Sequence, residues 1–221
     1  MINNISAPSF GSRNCPIKPT IFNTAKGSIT IQEIKHDEVR NVGEFMVNTA
    51  VDFHAKYHHY KLPENKDKLD KFYNVNIENI SKTIDENDGN FSVLVARDNQ
   101  KNIVGAGIMR HSWLDNKIGE LDDFYISPAL RGEGLGQKIG KMLLDSVKGF
   151  YTDVFVCSGR EAVPFYKKLG FNFDPKVVGS YRSKAVDMLE SSRPDAIIGD
   201  KNIDPKHPIE ERFTQYSPYR F

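Results

Sequence analysis

The sequence predicts an α/β sandwich built on a mixed sheet. Segments that alternate apolar and polar side chains are interspersed with segments whose apolar residues recur at three- and four-residue spacing. The elements run strand, two helices, three strands, glycine-rich loop and helix, strand, helix, strands, which fits neither an all-helical nor an all-strand fold. At 221 residues the chain can bury one substantial core, so one domain with extended tails or a small subdomain is the default.

Residues 1–27 are rich in Asn, Ser, Pro and Gly without periodicity and read as an irregular arm outside the core. SITIQEI then alternates as a strand. HDEVRNVGEFMVNTAVDFHAKYHHY follows with Val39, Val42, Phe45 and Met46 at helical spacing. A charged linker, KLPENKDKLDK, leads into a second helix through Ile77, Ile80 and Ile84. NFSVLVARD, NIVGAGIMRHSW and IGELDDFYIS read as three strands of an antiparallel meander, the first turn falling at DNQK. His111 and Trp113 belong to the shape of these strands. Beyond the glycines, Leu135, Ile139, Met142, Leu143 and Val147 share one helical stripe. DVFVC is a short buried strand, EAVPFYKKLGF a helix ending at Gly170, and further strands are expected within 171–189. The tail from 190 to 221, with Pro194, Pro205, Pro208 and Pro218, lacks periodicity, but its end, YSPYRF, has the aromatic content to dock back. The expected organisation is an arm (1–27), a domain (28–189) and a tail (190–221), with no internal repeat.

Thirty basic against 29 acidic residues give a formal charge of +1, so nothing global calls for nucleic acid, a membrane surface or an acidic partner. The two cysteines, Cys15 and Cys157, show no paired ligand spacing, which argues against a disulfide framework or zinc site and for a reducing compartment. The start, MINNISAPSFGSRN, has neither the charged and apolar regions of a signal peptide nor an apolar run of about 18 residues. A cytoplasmic protein is expected. The polar arm leaves export as an effector open.

The segment RGEGLG, residues 131–136, sits between a strand ending at Ile126 and a helix starting near Gly134. Such a junction leaves backbone N–H groups without internal partners at the positive end of the helix dipole. Gly132, Gly134 and Gly136 allow an anion to approach the main chain, and the Arg131 guanidinium can fork onto phosphate oxygens, so the loop is expected to cradle a pyrophosphate. No Lys-Ser/Thr pair follows the last glycine, which excludes a Walker loop, and the spacing misses the dinucleotide fingerprint. A flexible surface turn is the bland alternative.

FYISPALRGEGLGQKIGKMLL, followed about thirty residues after the loop by EAVPFYKKLGF, resembles the GCN5-related N-acetyltransferase (GNAT) superfamily. Its signature is a strand ending in Val/Ile-x-Pro, an Arg/Gln-x-x-Gly-x-Gly/Ala loop and a later Phe-Tyr-x-x-x-Gly-Phe helix. The likeness spans about residues 28–189, with the specific motifs between 120 and 171. It implies a three-layer fold, with a mixed, mostly antiparallel sheet of six to seven strands and about four helices. It also implies acetyl-CoA as cosubstrate and a primary amine as acceptor; no metal is expected. In this family the loop amides, here Arg131, Gly132, Glu133, Gly134, Leu135, Gly136 and Gln137, hold the CoA pyrophosphate. The backbone of Phe124, Tyr125 and Ile126 pairs with the pantetheine arm. The resemblance assigns protonation of the departing thiolate to Tyr166; a phenol of pKa about 10 can donate to a thiolate whose conjugate acid lies near 8.5. A core aromatic with a satisfied hydroxyl is the other reading of Tyr166.

Amine attack on a thioester also needs a neutral amine and stabilisation of the oxyanion. A backbone N–H near Phe124 to Ile126 is the candidate for the oxyanion. GELDDF offers Glu120, Asp122 and Asp123 as bases; strand alternation puts Glu120 and Asp122 on one face and Asp123 on the other. Glu120 is the first choice, because it stands six residues before Ile126, where the histone-acetylating branch of the family keeps its glutamate base, and a neighbouring carboxylate raises its pKa. A solvated strand end is the competing reading. In either case the acids favour a cationic acceptor.

The chain departs from the family where many members carry asparagine after the fifth strand: here stands Gly159, and Ser158 beside it either replaces the pantetheine contact or, with Glu161, forms a capping box. Pro164 instead suggests a helix start nearer Ala162. His54 and His58 have the i, i+4 spacing of zinc ligands without the glutamate of a metalloprotease or a third ligand. FHAKYHHY suits either the wall of an acceptor pocket or plain helix packing. Cys157 reads as a small buried hydrophobe, with acyl capture as the alternative.

The expectation is direct transfer of an acetyl group from acetyl-CoA to a primary amine in a ternary complex, since no nucleophile is placed for a covalent intermediate. A small molecule, protein, peptide or aminoacyl-tRNA amine could accept it. A non-catalytic CoA-binding module is the alternative of another class. No nucleic-acid or membrane partner is expected, and a monomer or a homodimer is equally compatible.

Overall fold

The computed structural model describes residues 17–57, 63–85, 92–112, 115–151, 153–157, 162–171 and 216–220. Seven strands form one sheet in sequential order: β1 (Thr20–Thr24), β2 (Gly27–Glu33), β3 (Ser92–Arg97), β4 (Ile103–Ser112), β5 (Asp115–Ile126), β6 (Asp153–Cys157) and β7 (Tyr216–Arg220). Neighbours are antiparallel except β5 and β6. That pair is parallel because a helix, α3 (Leu135–Val147), carries the chain back between them. The other helices are α1 (Val39–Tyr57), α2 (Lys66–Asp85) and α4 (Val163–Leu169).

The SVLVA segment of β3 is buried on both faces, and its alternation divides the core in two. Leu94 and Ala96 join Leu135, Ile139 and Leu143 of α3. Val93 and Val95 join Val42 and Met46 of α1 and Ile84 of α2. The result is helix, sheet, helix: the α/β architecture expected from the sequence, with the three-strand meander as β3 to β5. No described helix is long and apolar enough to cross a membrane.

Four local readings need correction. Residues 20–24 of the supposed irregular arm are strand β1, and Ile17 and Phe22 pack against the α3 core; a short edge strand is defined by its partner more than by its own sequence. The KDKLDK of the presumed linker is already helix α2. Asn65 starts it, accepting from the Lys68 N–H at 3.1 Å. Helix α4 starts at Val163 after Ala162, with Pro164 in its first turn: the start near Ala162 that Pro164 suggested holds, and the capping reading of Ser158 does not. The fourth concerns GELDDF and is described with the site. The strands expected within 171–189 lie almost wholly outside the described residues, as do Ser158, Gly159 and His58. The docking segment foreseen at the C-terminus is β7, which pairs with β6 from Asp153↔Arg220 to Cys157↔Tyr216.

Candidate active site

β5 and β6 pair only from Ile118↔Asp153 to Glu120↔Phe155. Both strands continue, to Ile126 and Cys157, with no further pairing between them among the described residues. The sheet is thus split between its fifth and sixth strands. On the other side of β5, Ser127 N–H donates to Val104 O at 2.9 Å, which makes Ala106↔Tyr125 a hydrogen-bonded pair and Gly105↔Ile126 and Gly107↔Phe124 non-bonded ones. The main-chain groups of Phe124 and Ile126 therefore face the split, while those of Tyr125 are taken by β4. Arg131 Nε already donates to Ile126 O at 3.1 Å.

Two glycines absent from the sequence reading support this edge. A Cβ at Gly107 would lie 2.7 Å from the Phe124 ring, and one at Gly105 2.9 Å from Ile126 Cδ1. GAG in β4 thus lets the β5 side chains lie down on the α3 face; alternating glycine in a strand was the available signal.

The split opens at the glycine loop. After Ile126 the chain makes a 3-10 turn, Pro128–Leu130, and enters α3 through Gly134. Gly132 and Gly134 have φ of +87° and +83°, a conformation strained for any side chain. Gly136 is bare for another reason: its Cβ would stand 3.0 Å from Phe165 of α4. Among the described residues the first helical bond is Lys138 N–H to Gly134 O, so the amides of Gly134, Leu135, Gly136 and Gln137, and that of Gly132, have no backbone acceptor. The amides of Arg131 and Glu133 are weakly engaged, with Pro128 O and Leu130 O, both at 3.4 Å. Among the described residues the amides without a backbone acceptor are therefore Gly132 and Gly134 to Gln137, fewer than the full stretch Arg131 to Gln137.

The acidic segment differs from strand alternation. β4 pairs Gly107↔Phe124 and then Met109↔Leu121, so β5 carries one extra residue there. This bulge reverses the side-chain phase. Leu121 falls on the α3 face, and Glu120, Asp122 and Asp123 converge instead of dividing two against one. Arg110 Nη2 lies 3.4 Å from Glu120 Oε2, and Arg110 Nε 2.8 Å from Asp122 Oδ2. Neither contact is aligned as a hydrogen bond, so Arg110 Nε and Glu120 Oε2 are buried without a hydrogen-bond partner among the described residues. Tyr125 Oη donates to Asp123 Oδ1 at 3.3 Å.

One arginine faces three carboxylates, and the electrostatics follow. Burial first, then the Asp122 charge, pushes Glu120 up to about 7 against the pull of Arg110. Burial raises Asp122 as well. Burial and Asp122 push Asp123 up to about 6. The Tyr125 phenol is driven above its ordinary range by burial, then by Asp123.

Tyr166, 6 % exposed, lies in the α3-side core, edge-to-face with Phe165 and Phe171 at centroid distances of 5.0 and 5.6 Å. Its position is set by the end of α4. Gly170, with φ +101°, donates to Lys167 O, and Phe171 N–H donates to Tyr166 O, which closes a Schellman motif with its apolar contact. The described His, Cys, Asp and Glu side chains form no group of three suited to a metal ion.

With this geometry stands a match to the acetyltransferase (GNAT) domain model over residues 34–188. The chain belongs to the GNAT acetyltransferase family. No curated protein matches it. Among solved structures, a GNAT acetyltransferase from Staphylococcus aureus Mu50 shares 17% identity over 87% of this chain and 98% of its own, with a TM-score of 0.53. A spermidine N-acetyltransferase from Vibrio cholerae, solved with CoA and spermine, shares 21% identity over 66% of this chain and 82% of its own at 0.43. A glucosamine-6-phosphate N-acetyltransferase from Arabidopsis thaliana shares 16% over 66% and 92% at 0.46. For this GNAT chain the first of these supports the fold alone. The family match begins at Ile34 and so leaves out the β1–β2 hairpin.

Proposed function

We propose that the protein transfers an acetyl group from acetyl-CoA directly to a primary amine of a cationic acceptor. The observation that carries this reading is the row of amides at Gly132 and Gly134 to Gln137 that have no backbone acceptor among the described residues, opening on the split between β5 and β6. Unpaired N–H groups at a helix start suit the linked phosphates of CoA. The edge of Phe124 and Ile126, unpaired with β6 among the described residues, suits the amide-bearing pantetheine arm, which can pair with it as an added strand.

When bound, acetyl-CoA supplies a thioester carbonyl open to amine attack. Glu120, buried and held near neutrality, accepts the proton of the incoming ammonium. Asp122 and Asp123 add negative charge that concentrates a cation. The Phe124 or Ile126 N–H facing the split stabilises the oxyanion. Tyr166 returns a proton to the departing thiolate; its neighbours Phe165 and Phe171 hold it in place.

Calorimetry with CoA, paired with acetyl-transfer assays against polyamines, amino acids, aminoglycosides and peptides, tests the reading. Tyr166→Phe should retain CoA affinity while transfer falls by roughly 10²-fold, the usual worth of a positioned acid. CoA binding without transfer to any amine would leave a binding module; no CoA binding would overturn the assignment.

A further inference from the structure

The glycine loop is only partly held by its own backbone. Within it the Arg131 and Glu133 amides make only 3.4 Å contacts, and two of its residues adopt left-handed φ. Leu130 N–H to Ser127 O at 2.9 Å and Arg131 Nε to Ile126 O at 3.1 Å tie its start to the end of β5, and the further contacts come from the β1–β2 hairpin turn, more than a hundred residues earlier in the chain. Ala25 N–H donates to Glu133 Oε2 at 3.2 Å. The Lys26 ammonium donates to Ala129 O. Phe22 of β1 lies against the loop's helix entrance, 3.6 Å from where a Gly134 Cβ would sit. The turn is itself preformed: Thr24 Oγ1 donates to Gly27 O at 2.9 Å and accepts from Lys26 N–H at 3.1 Å, and Gly27 takes φ +124°.

We propose that this hairpin braces the CoA loop, with Lys26 and Glu133 as positioning residues that hold residues 129–134 in the shape that presents the free amides. The inference rests on the CoA-binding reading for its ligand but not for its geometry. Ala129 and Glu133 flank Arg131 and Gly132, so fixing both ends from one turn sets the path between them. Without the brace the loop must order itself when the anion arrives, and that ordering reduces affinity.

Lys26→Met, Lys26→Arg, Glu133→Ala and Glu133→Gln in the full chain make the test. Hydrogen exchange of the Gly132 to Gln137 amides is read without ligand, and CoA affinity by calorimetry. Lys26→Met and Glu133→Ala should speed exchange at these amides and weaken CoA about tenfold each, the loss of one charge-assisted bond. Lys26→Arg and Glu133→Gln, which keep a donor and an acceptor, should restore both. For Lys26→Met the KM for acetyl-CoA should rise while kcat stays. Unchanged loop exchange in both disruptive variants would overturn the brace whatever the ligand proves to be. Failure of the wild type to bind CoA, with loop exchange still responding, would sink the functional reading and leave the brace standing.

Discussion

Glu120 is 5 % exposed, yet it sits among two more acids and a single arginine. Its pKa near 7 makes a double prediction. As the base it must be ionised, so kcat/KM should fall as pH drops below about 7, and Glu120→Gln should lose that limb together with roughly 10²-fold in kcat/KM; a retained limb would exclude Glu120. The stability effect has the opposite sense. A carboxyl whose pKa is raised on folding from 4.5 to about 7 binds more protons folded than unfolded in that window, so its burial penalty grows as pH rises from 4.5 to 7. Glu120→Gln should therefore gain in Tm relative to wild type between pH 5 and pH 8; a constant difference would contradict the shift. These acids were visible in GELDDF, but their convergence was not, because alternation assumes an unbroken pairing register and the bulge opposite Ile108 breaks it.

Helix α3 and its N-cap carry two kinds of glycine with different consequences. Gly134→Ala forces a side chain into a left-handed N-cap position, at a cost of about 1–2 kcal/mol, and should weaken CoA binding through the loop. Gly140→Val meets Leu169 of α4, whose Cδ1 stands 2.7 Å from the new Cβ. It should cost about 1–3 kcal/mol by overpacking and, because α4 carries Tyr166, should lower kcat more than CoA affinity. Thermal melts and calorimetry on the two variants separate these outcomes; equal effects on CoA affinity would refute the division. The stripe Leu135, Ile139, Met142, Leu143 and Val147 was legible because helical periodicity is local; all but Met142 are buried, and Met142 packs partly buried against the same core. Start points were less legible: Lys66 and Val163 are decided by a cap residue and by packing, where the side-chain pattern is weakest.

The sheet is closed at its late edge by β7, the last described segment of the chain, which gives β6 its second partner. Deleting residues 216–221 would leave β6 with an unpaired edge. The Tm should drop by several degrees, at about 2–4 °C per kcal/mol for a chain of this size; an unchanged melt would mean that β7 adds no stability. Such pairings join residues some sixty positions apart in number, and nothing local in YSPYR specifies DVFVC as its partner. The glycine loop, the helix behind it, the buried strand β3 and the presence of three acids beside that loop are written in local order, since each depends on neighbours within a turn or two of chain. The split between β5 and β6, the meeting of Glu120, Asp122 and Asp123 around Arg110, and the hairpin resting on the loop exist only in three dimensions. They depend on cross-strand register and on contacts between distant segments, and neither has a period that a linear pattern can carry.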